Sequence, residues 1–245
     1  MKIILVGNGQ MGRAIAAIIA ETPQHQILAA LSSKDVLQPD MLANADALID
    51  FTNAKAFLQN LPVLLAANRP IVVGTTGWYH HLSEVKAQVE GADGALLYAA
   101  NFSLGVHLFL RLAKVAASLI APFPEFDIAI SEAHHTRKKD APSGTALKAA
   151  EQVLAALPRK TALRTALLPD TPLQKEELLI TSLRVGSVFG EHTLHIDSPA
   201  DELVIRHTAK SRRGFAEGAL QAAEWLQGKR GFFSFEDFLS EKLGF

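Results

Sequence analysis

The chain begins with an apolar run, Ile3-Ile4-Leu5-Val6, passes into Gly7-Asn8-Gly9-Gln10-Met11-Gly12, and continues in a helical pattern from Arg13 to Ala20. No other stretch restricts the fold as strongly. G-x-G-x-x-G between a strand and a helix is the turn of a dinucleotide-binding βαβ unit. Gly7 permits the tight turn, Gly9 lets the backbone approach a pyrophosphate, and Gly12 lets helix and strand pack closely. The helix N-terminus supplies N–H donors to the phosphates. Glycines that merely shape a loop are the competing explanation, and the strand-turn-helix context weighs against it.

Up to about Asn101, short β-rich runs alternate with Ala/Leu-rich helical segments: Ile3 to Val6, Gln26 to Leu31, Ala47 to Phe51, Ile71 to Val73 and Ala95 to Tyr98. This alternation predicts α/β architecture around a Rossmann-type parallel sheet. Longer runs follow at Phe126 to His134, Leu178 to Val185, His192 to Ile196 and Glu202 to His207, several alternating every second residue. They predict a second, α+β domain with a mostly antiparallel or mixed sheet. The apolar stretch Val106 to Phe123 is interrupted by His107, Arg111 and Lys114, so it reads as a buried helix and not a membrane span. Pro158 to Leu173 is turn-rich, and Phe215 to Leu226 has an Ala-rich helical pattern.

With 245 residues, 49% of them hydrophobic and 20% charged, the chain has enough apolar material for a substantial core. Its 24 Lys+Arg against 25 Asp+Glu give a net charge of -1 and no broad positive field, which argues against nucleic acid or an anionic membrane as partner. The absence of cysteine excludes disulfides, thiolate metal sites and a cysteine nucleophile. Ile3 to Val6 is too short for a secretory apolar region, and a cytoplasmic location is expected.

A dinucleotide site that prefers NAD usually carries an acid at the end of the second strand, where it binds the ribose 2′-hydroxyl. Here Leu31 is followed by Ser32-Ser33-Lys34-Asp35. Two hydroxyls and an ammonium suit a 2′-phosphate, while Asp35 lies slightly late for the acid. The sequence leans to NADPH, with NADH use left open, and an ordinary solvated lysine is the alternative for Lys34.

The densest chemistry lies in Glu132-Ala133-His134-His135-Thr136-Arg137-Lys138-Lys139-Asp140-Ala141-Pro142-Ser143-Gly144-Thr145-Ala146. Alternation through Phe126, Ile128 and Ile130 puts Glu132 and His134 on one strand face and His135 on the other. Pro142-Ser143 opens a helix with Leu147, Ala150, Leu154 and Leu157 at helical spacing, ended by Pro158. Ser143 is a natural N-cap. The N–H groups of Gly144 and Thr145, the Thr145 hydroxyl and the helix dipole form an anion site, to which Lys138 adds a charge or a proton. A cation, two imidazoles and an anion-binding helix start suit a small acidic substrate that is protonated during reaction. Adjacent histidines cannot readily meet on one ion, so no metal is expected. His80, His81 and His107 have no visible partners in the sequence and read as structural or surface residues.

The segment from Glu132 to Ala146 resembles the signature E-x-H-H-x-x-K-x-D-A-P-S-G-T-A of the 4-hydroxy-tetrahydrodipicolinate (dihydrodipicolinate) reductase family. Supporting segments are Ile49-Asp50-Phe51-Thr52, Gly74-Thr75-Thr76-Gly77, Ala100-Asn101-Phe102-Ser103, Gly190-Glu191-His192-Thr193, and Ser211-Arg212 with Phe215-Ala216. The resemblance implies a cofactor domain at residues 1–102 and 213–245 and a substrate and tetramerisation domain at 103–212. It also implies a homotetramer and reduction of a cyclic dicarboxylate by NAD(P)H in diaminopimelate and lysine synthesis. Carried over by position, Gly7, Gly9, Gln10, Met11, Gly12, Ser32, Ser33, Lys34, Phe51, Thr52, Gly74, Thr75, Thr76, Ala99, Asn101 and Phe102 line the cofactor. His134 and Lys138 take the acid and base work, with Lys138 the favoured proton donor and His134 the alternative. His135, Ser143, Gly144, Thr145 and Arg212 bind substrate, Arg212 as a hinge or coupling residue.

Two departures stand out: Ser32 where the family has an acid, and a short connection between Lys34 and Asp50. Other dehydrogenases of the same two-domain plan share the glycine motif but not the constellation from His134 to Ala146. A nucleotide-binding regulator without turnover would be expected to have lost one of His134, His135, Lys138 or Thr145, and all four are present.

Overall fold

The computed structural model describes residues 1–244, which divide into two compact units. One comprises Met1–Ser103 and the segment from Arg212 onward, and the other is Leu104–Ser211. The first unit starts with β1 (Lys2–Val6), α1 (Gln10–Glu21), β2 (Gln26–Leu31), α2 (Pro39–Leu42) and β3 (Ala47–Asp50). It continues through α3 (Ala54–Ala66), β4 (Ile71–Val73), α4 (Leu82–Gly91) and β5 (Ala95–Tyr98). The second unit holds α5 (Leu104–Ile120), β6 (Asp127–His134), α6 (Gly144–Ala156), β7 (Ala162–Arg164), β8 (Glu177–Arg184), β9 (Glu191–Asp197) and β10 (Glu202–Thr208). The chain then returns to the first unit with α7 (Arg213–Trp225), β11 (Gly231–Ser234) and α8 (Phe235–Leu243).

The first sheet is wholly parallel, in the order β11-β5-β4-β3-β1-β2. Parallel strands joined by helices are covered on both faces, which is why β1, β3, β4 and β5 read as apolar runs, while the edge strand β2 leaves alternate residues exposed. Alternate residues go to opposite sides. Ile3 and Leu5 of β1 join a core with α1, α7 and α8, whereas Ile4 and Val6 join one with α3 and α4. Each such Leu or Ile contributes about 1.5–3 kcal/mol by leaving water. Only the four-residue α2 interrupts the path from Lys34 to β3.

The second sheet has the order β10-β9-β6-β8-β7. β9 is antiparallel to both β10 and β6, while β8 is parallel to both β6 and β7. The sheet is therefore mixed, the second of the two forms that the sequence leads one to expect. The cause is the α6 crossover, since parallel neighbours need a long connection.

Two helix expectations also change. In α5, Val106, Phe109, Ala113, Ala117 and Ile120 are buried, but Leu112, Val115 and Leu119 on the opposite side are 50%, 53% and 67% exposed. The helix is apolar all round, and a single sheet covers only one of its faces. In α6 the buried set is Ala146, Ala149, Ala150 and Val153, with Leu157 just beyond the helix end, whereas Leu147 stands at the surface. Small residues let α6 lie close to α5 and the sheet. The expectation had followed the large residues.

Candidate active site

The proton-bearing groups stand where one sheet face changes character. On the face covered by α5 and α6, β6 presents Ile128 and Ile130 and then Glu132 and His134. β8 presents Leu178 and Ile180, and then Ser182 and Arg184 in register with Glu132 and His134. β9 brings His192 opposite Glu132. Alternate residues of neighbouring strands share a face, so three apolar stripes turn polar together at the end next to the start of α6.

Glu132 has a fully buried side chain, with Arg184 at 2.7 Å from Oε1 and His134 Nδ1 bonded to Oε2. Burial pushes its carboxyl upward, but hydrogen bonds from Arg184, Ser182 and His134 outweigh this and hold it below its ordinary value. Burial pushes the His134 imidazole downward, assisted by the charges of Lys138 and Arg184 and opposed by Glu132. His192 packs edge-on against His134 with ring centres 5.2 Å apart, and burial drives it down to about 4. Two neutral imidazoles thus lie beside a charged Arg-Glu pair.

Lys138 follows β6 in a turn in which its N–H donates to the His135 carbonyl at 3.1 Å. Its ammonium donates to both oxygens of Asp140 at 2.8 Å, and this bond holds the Asp140 carboxyl below its ordinary value. His135 lies just past the strand end, half-buried, with Nδ1 buried and without a partner among the described residues.

Ser143 caps α6 as expected, accepting from the Ala146 N–H at 3.2 Å. The same oxygen lies 3.0 Å from His192 Nε2. Its hydroxyl is thereby committed, and what it presents outward is the helix start, with Gly144 exposed and Thr145 half-buried. First-turn N–H groups of a helix have no intrahelical acceptor and favour an anion.

Glu132, His134 and His192 form the one cluster of metal-ligand type among the described residues, their donor atoms within 4.8 Å of one another. Both Glu132 oxygens are engaged there, and a cation would also face Arg184. From the sequence, Glu132, His134 and His135 stand together as the possible ligand set, whereas in the fold His192 takes the place of His135 from another strand.

In the first unit, the residues assigned to the cofactor gather at the carboxyl ends of β1 to β5, where open α/β sheets bind ligands. Gly7 has φ +106°, and a Cβ there would meet the Phe51 carbonyl oxygen at 2.6 Å. A Cβ on Gly12 would stand 2.1 Å from the Gly7 oxygen. At Gly9 a Cβ would meet nothing within 4 Å, so protein packing does not require a glycine there. Gly9 is also the N-cap of α1 and makes no side-chain cap, leaving the N–H groups of Gln10 and Met11 without that cover. The residues present fit a dinucleotide pyrophosphate.

Asp50, wholly buried at the end of β3, accepts from the Thr75 hydroxyl at 2.7 Å and from the Thr52 hydroxyl at 2.8 Å. Burial raises its pKa against the pull of these bonds. Thr52 and Thr75 are thereby fixed, Thr76 is exposed, and Gly74 lies where a Cβ would strike the Phe51 ring at 2.0 Å. Phe51 packs on buried Phe102 with ring centres 5.9 Å apart, while Asn101 accepts from the Ser103 N–H and Ala99 is buried. Ser32 gives both its N–H, at 2.7 Å, and its hydroxyl, at 2.8 Å, to Asp35, whose carboxyl is held below its ordinary value by those bonds. Ser33 and Lys34 are exposed, and the Lys34 N–H donates to Ser32 Oγ. Arg212 is exposed as the N-cap residue of α7. His80 is exposed, His81 lies 3.0 Å from Glu84, and His107 is buried on α5.

Residues 1–102 match the family described as "Dihydrodipicolinate reductase, N-terminus", and residues 105–239 match "Dihydrodipicolinate reductase, C-terminus". The chain belongs to the dihydrodipicolinate reductase family. Members of that family are nicotinamide-dinucleotide-dependent oxidoreductases with a Rossmann-type domain. A 4-hydroxy-tetrahydrodipicolinate reductase from Christiangramia forsetii is 36% identical over 242 residues, 98% of each chain. Among solved structures, a dipicolinate-bound dihydrodipicolinate reductase from Paenisporosarcina sp. TG-14 has TM-score 0.74 at 20% identity, covering 96% of this chain and 97% of that one. An amine dehydrogenase from Mycobacterium smegmatis has TM-score 0.58 at 9% identity, covering 95% and 94%. At these identities the likeness to the two structures shows the fold alone. No helix among the described residues is long and apolar enough to cross a membrane.

Proposed function

We propose that this chain reduces 4-hydroxy-tetrahydrodipicolinate, or its dehydrated form, to tetrahydrodipicolinate in diaminopimelate and lysine synthesis in the cytoplasm. The observation that carries this reading is the segment from Glu132 to Ala146, folded so that Lys138, His134 and the start of α6 belong to one unit. When bound, the nicotinamide supplies the hydride that reaches C4 of the ring. The chain's own residues handle the proton and the carboxylates.

The N–H groups of Gly144 and Thr145, with the Thr145 hydroxyl, hold a carboxylate at the positive end of α6. Ser143 keeps that helix start in place, and His135 completes the substrate contacts. Lys138 gives the proton to the ring carbon next to C4, and Asp140 holds its ammonium in place between turnovers. His134, neutral beside Glu132, receives a hydrogen bond from the substrate or from Lys138. Hydride transfer requires donor and acceptor in contact, and Arg212 is assigned to coupling the substrate to that approach.

For the cofactor, Gly7 to Gly12 cradle the pyrophosphate, and Ser32, Ser33 and Lys34 face the ribose. Lys34 supports a 2′-phosphate, while the Asp35 carboxylate over Ser32 accepts from a free 2′-hydroxyl and repels a phosphate. Both NADPH and NADH serve in this reading, with Asp35 limiting the preference for NADPH. The chain assembles as a homotetramer through the apolar face that α5 and the edge strand β10 leave at the surface, including Leu112, Val115, Leu119, Leu203 and Val204.

The chemistry is tested by isotope. With substrate made in place by dihydrodipicolinate synthase and NADH deuterated at the transferring face of C4, the product gains one deuterium. In D2O it gains a second, at the neighbouring carbon. Product without cofactor-derived deuterium would rule the reduction out.

A further inference from the structure

Arg184 belongs to none of the sequence motifs. It lies outside the Glu132 to Ala146 segment, at the end of β8, yet its guanidinium reaches both halves of that segment. One nitrogen, Nη2, is 2.7 Å from Glu132 Oε1 and 2.7 Å from the Asp140 carbonyl oxygen. Nη1 donates to the Leu183 carbonyl at 2.7 Å, which fixes the plane of the fork. Beyond these contacts the path divides. Glu132 passes its second oxygen to His134 Nδ1, and the Asp140 side chain holds the Lys138 ammonium.

We propose that Arg184, acting through Glu132 and Asp140, is the positioning residue that orients both His134 and Lys138 for proton transfer. The proposal deepens the reductase reading above and rests on it. A carboxylate only accepts, so the Glu132 bond puts the hydrogen of neutral His134 on Nδ1 and leaves Nε2 with its lone pair. A planar guanidinium meets a carboxylate and a carbonyl at once, whereas an ammonium on a flexible stem holds neither in a fixed plane. Tethering the loop at Asp140 while tethering the imidazole at Glu132 sets the distance between the two proton-handling groups with a single side chain.

The electrostatics run the same way. The titratable and charged groups facing His134 are Glu132 on its own strand, Arg184 from β8, His192 from β9 and Lys138 from the loop. His207 on β10 lies opposite His192 in register. Arg184 compensates Glu132, so the carboxylate is left with less attraction for a charged imidazole. Removing the guanidinium therefore moves His134 toward the cation, and removing the Glu132 charge moves it the other way. A salt bridge that served only to hold the fold would leave turnover in Arg184→Lys near that of the wild type, since the lysine keeps the charge.

The test is a nitrogen-15 NMR titration of the histidine rings in the full-length protein, without substrate, for the wild type, Arg184→Lys, Arg184→Met and Glu132→Gln. The wild type should carry its His134 hydrogen on Nδ1. The His134 titration should rise in Arg184→Met and fall in Glu132→Gln. Turnover measured beside it should drop by about 10-fold to 100-fold in Arg184→Met, with cofactor Kd unchanged, and millimolar guanidinium should restore part of it, as expected for a lost orienting contact. Arg184→Lys keeps the charge and the fold but should recover little of the rate. A wild-type hydrogen on Nε2, or a His134 titration that is the same in all four proteins, would overturn the proposal. If both the Met and Gln variants fail to fold, Arg184→Lys decides: wild-type turnover in that protein would overturn the proposal. The predicted NMR pattern in a protein with no turnover would uphold the tether and overturn the reductase reading instead.

Discussion

At the start of α1, anion recognition is built from backbone: three glycines, uncapped N–H groups and no charged side chain in the first turn except Arg13. At the start of α6 a similar helix terminus stands beside Lys138, Asp140, Arg184, Glu132 and two buried histidines. The difference follows from what each anion must undergo. A pyrophosphate only has to be held, and backbone donors do this without committing side-chain charge. A substrate that gains a proton needs groups whose protonation states are set, and that takes buried charge held in fixed geometry.

The largest expected effect comes from removing the proton donor on the side-chain half. Lys138→Ala should lower kcat by about 10^2 to 10^4, the usual span for general acid catalysis, while NADH Kd measured by fluorescence stays the same. A rise in KM with kcat intact would reduce Lys138 to a clamp and make His134 the donor.

Buried imidazoles also make this half acid-sensitive. His192 titrates at about 4 when folded against 6.5 ordinarily, so between those values the unfolded chain binds more protons. Stability through His192 should be full above pH 6.5 and fall by about 3 kcal/mol as pH drops to 4. Denaturant midpoints at several pH values should show this slope flattening in His192→Gln. An unchanged slope would mean that His192 is not held neutral.

On the backbone half, Gly12→Ala places a methyl 2.1 Å from the Gly7 carbonyl oxygen. The clash is with backbone, so relief has to come from separating helix and strand, at about 1–3 kcal/mol. Weaker cofactor binding should accompany it, with dicarboxylate binding at α6 unaffected. The smallest effect belongs to Asp35→Ala, which should raise the ratio of kcat/KM for NADPH over NADH by roughly fivefold, the scale of one solvent-exposed charge contact. A ratio that does not move would assign the preference to Lys34 alone.

The parallel sheet was legible because both its faces are buried, so β1, β3, β4 and β5 show as apolar runs whatever their partners. β7 and β11 were not foreseen: three and four residues long, they are strands by virtue of β8 and β5 beside them. Lys138, Ser143 and the α6 start were legible as neighbours along the chain. His192 and Arg184 were not, since they reach the site through strand pairing across 58 and 50 residues from His134. A signal was present: the alternating residues of 178–184 pass from apolar to polar, as those of 128–134 do, and those of the antiparallel run 192–196 pass from polar to apolar. Three such runs, each with one polar end, mark the polar end of a shared face. The Ser32 bonds to Asp35 were hidden for a different reason, because an acid three residues along folds back to the strand end only through a turn.

The most direct measurement couples purified dihydrodipicolinate synthase, pyruvate and aspartate semialdehyde to this protein and follows absorbance loss with NADPH and NADH separately. Synthase-dependent oxidation with both cofactors, at comparable kcat/KM, is the predicted result. Cofactor binding by fluorescence without synthase-dependent oxidation of either would contradict the account and leave a nucleotide-binding protein that has lost turnover, or one with a different acidic substrate.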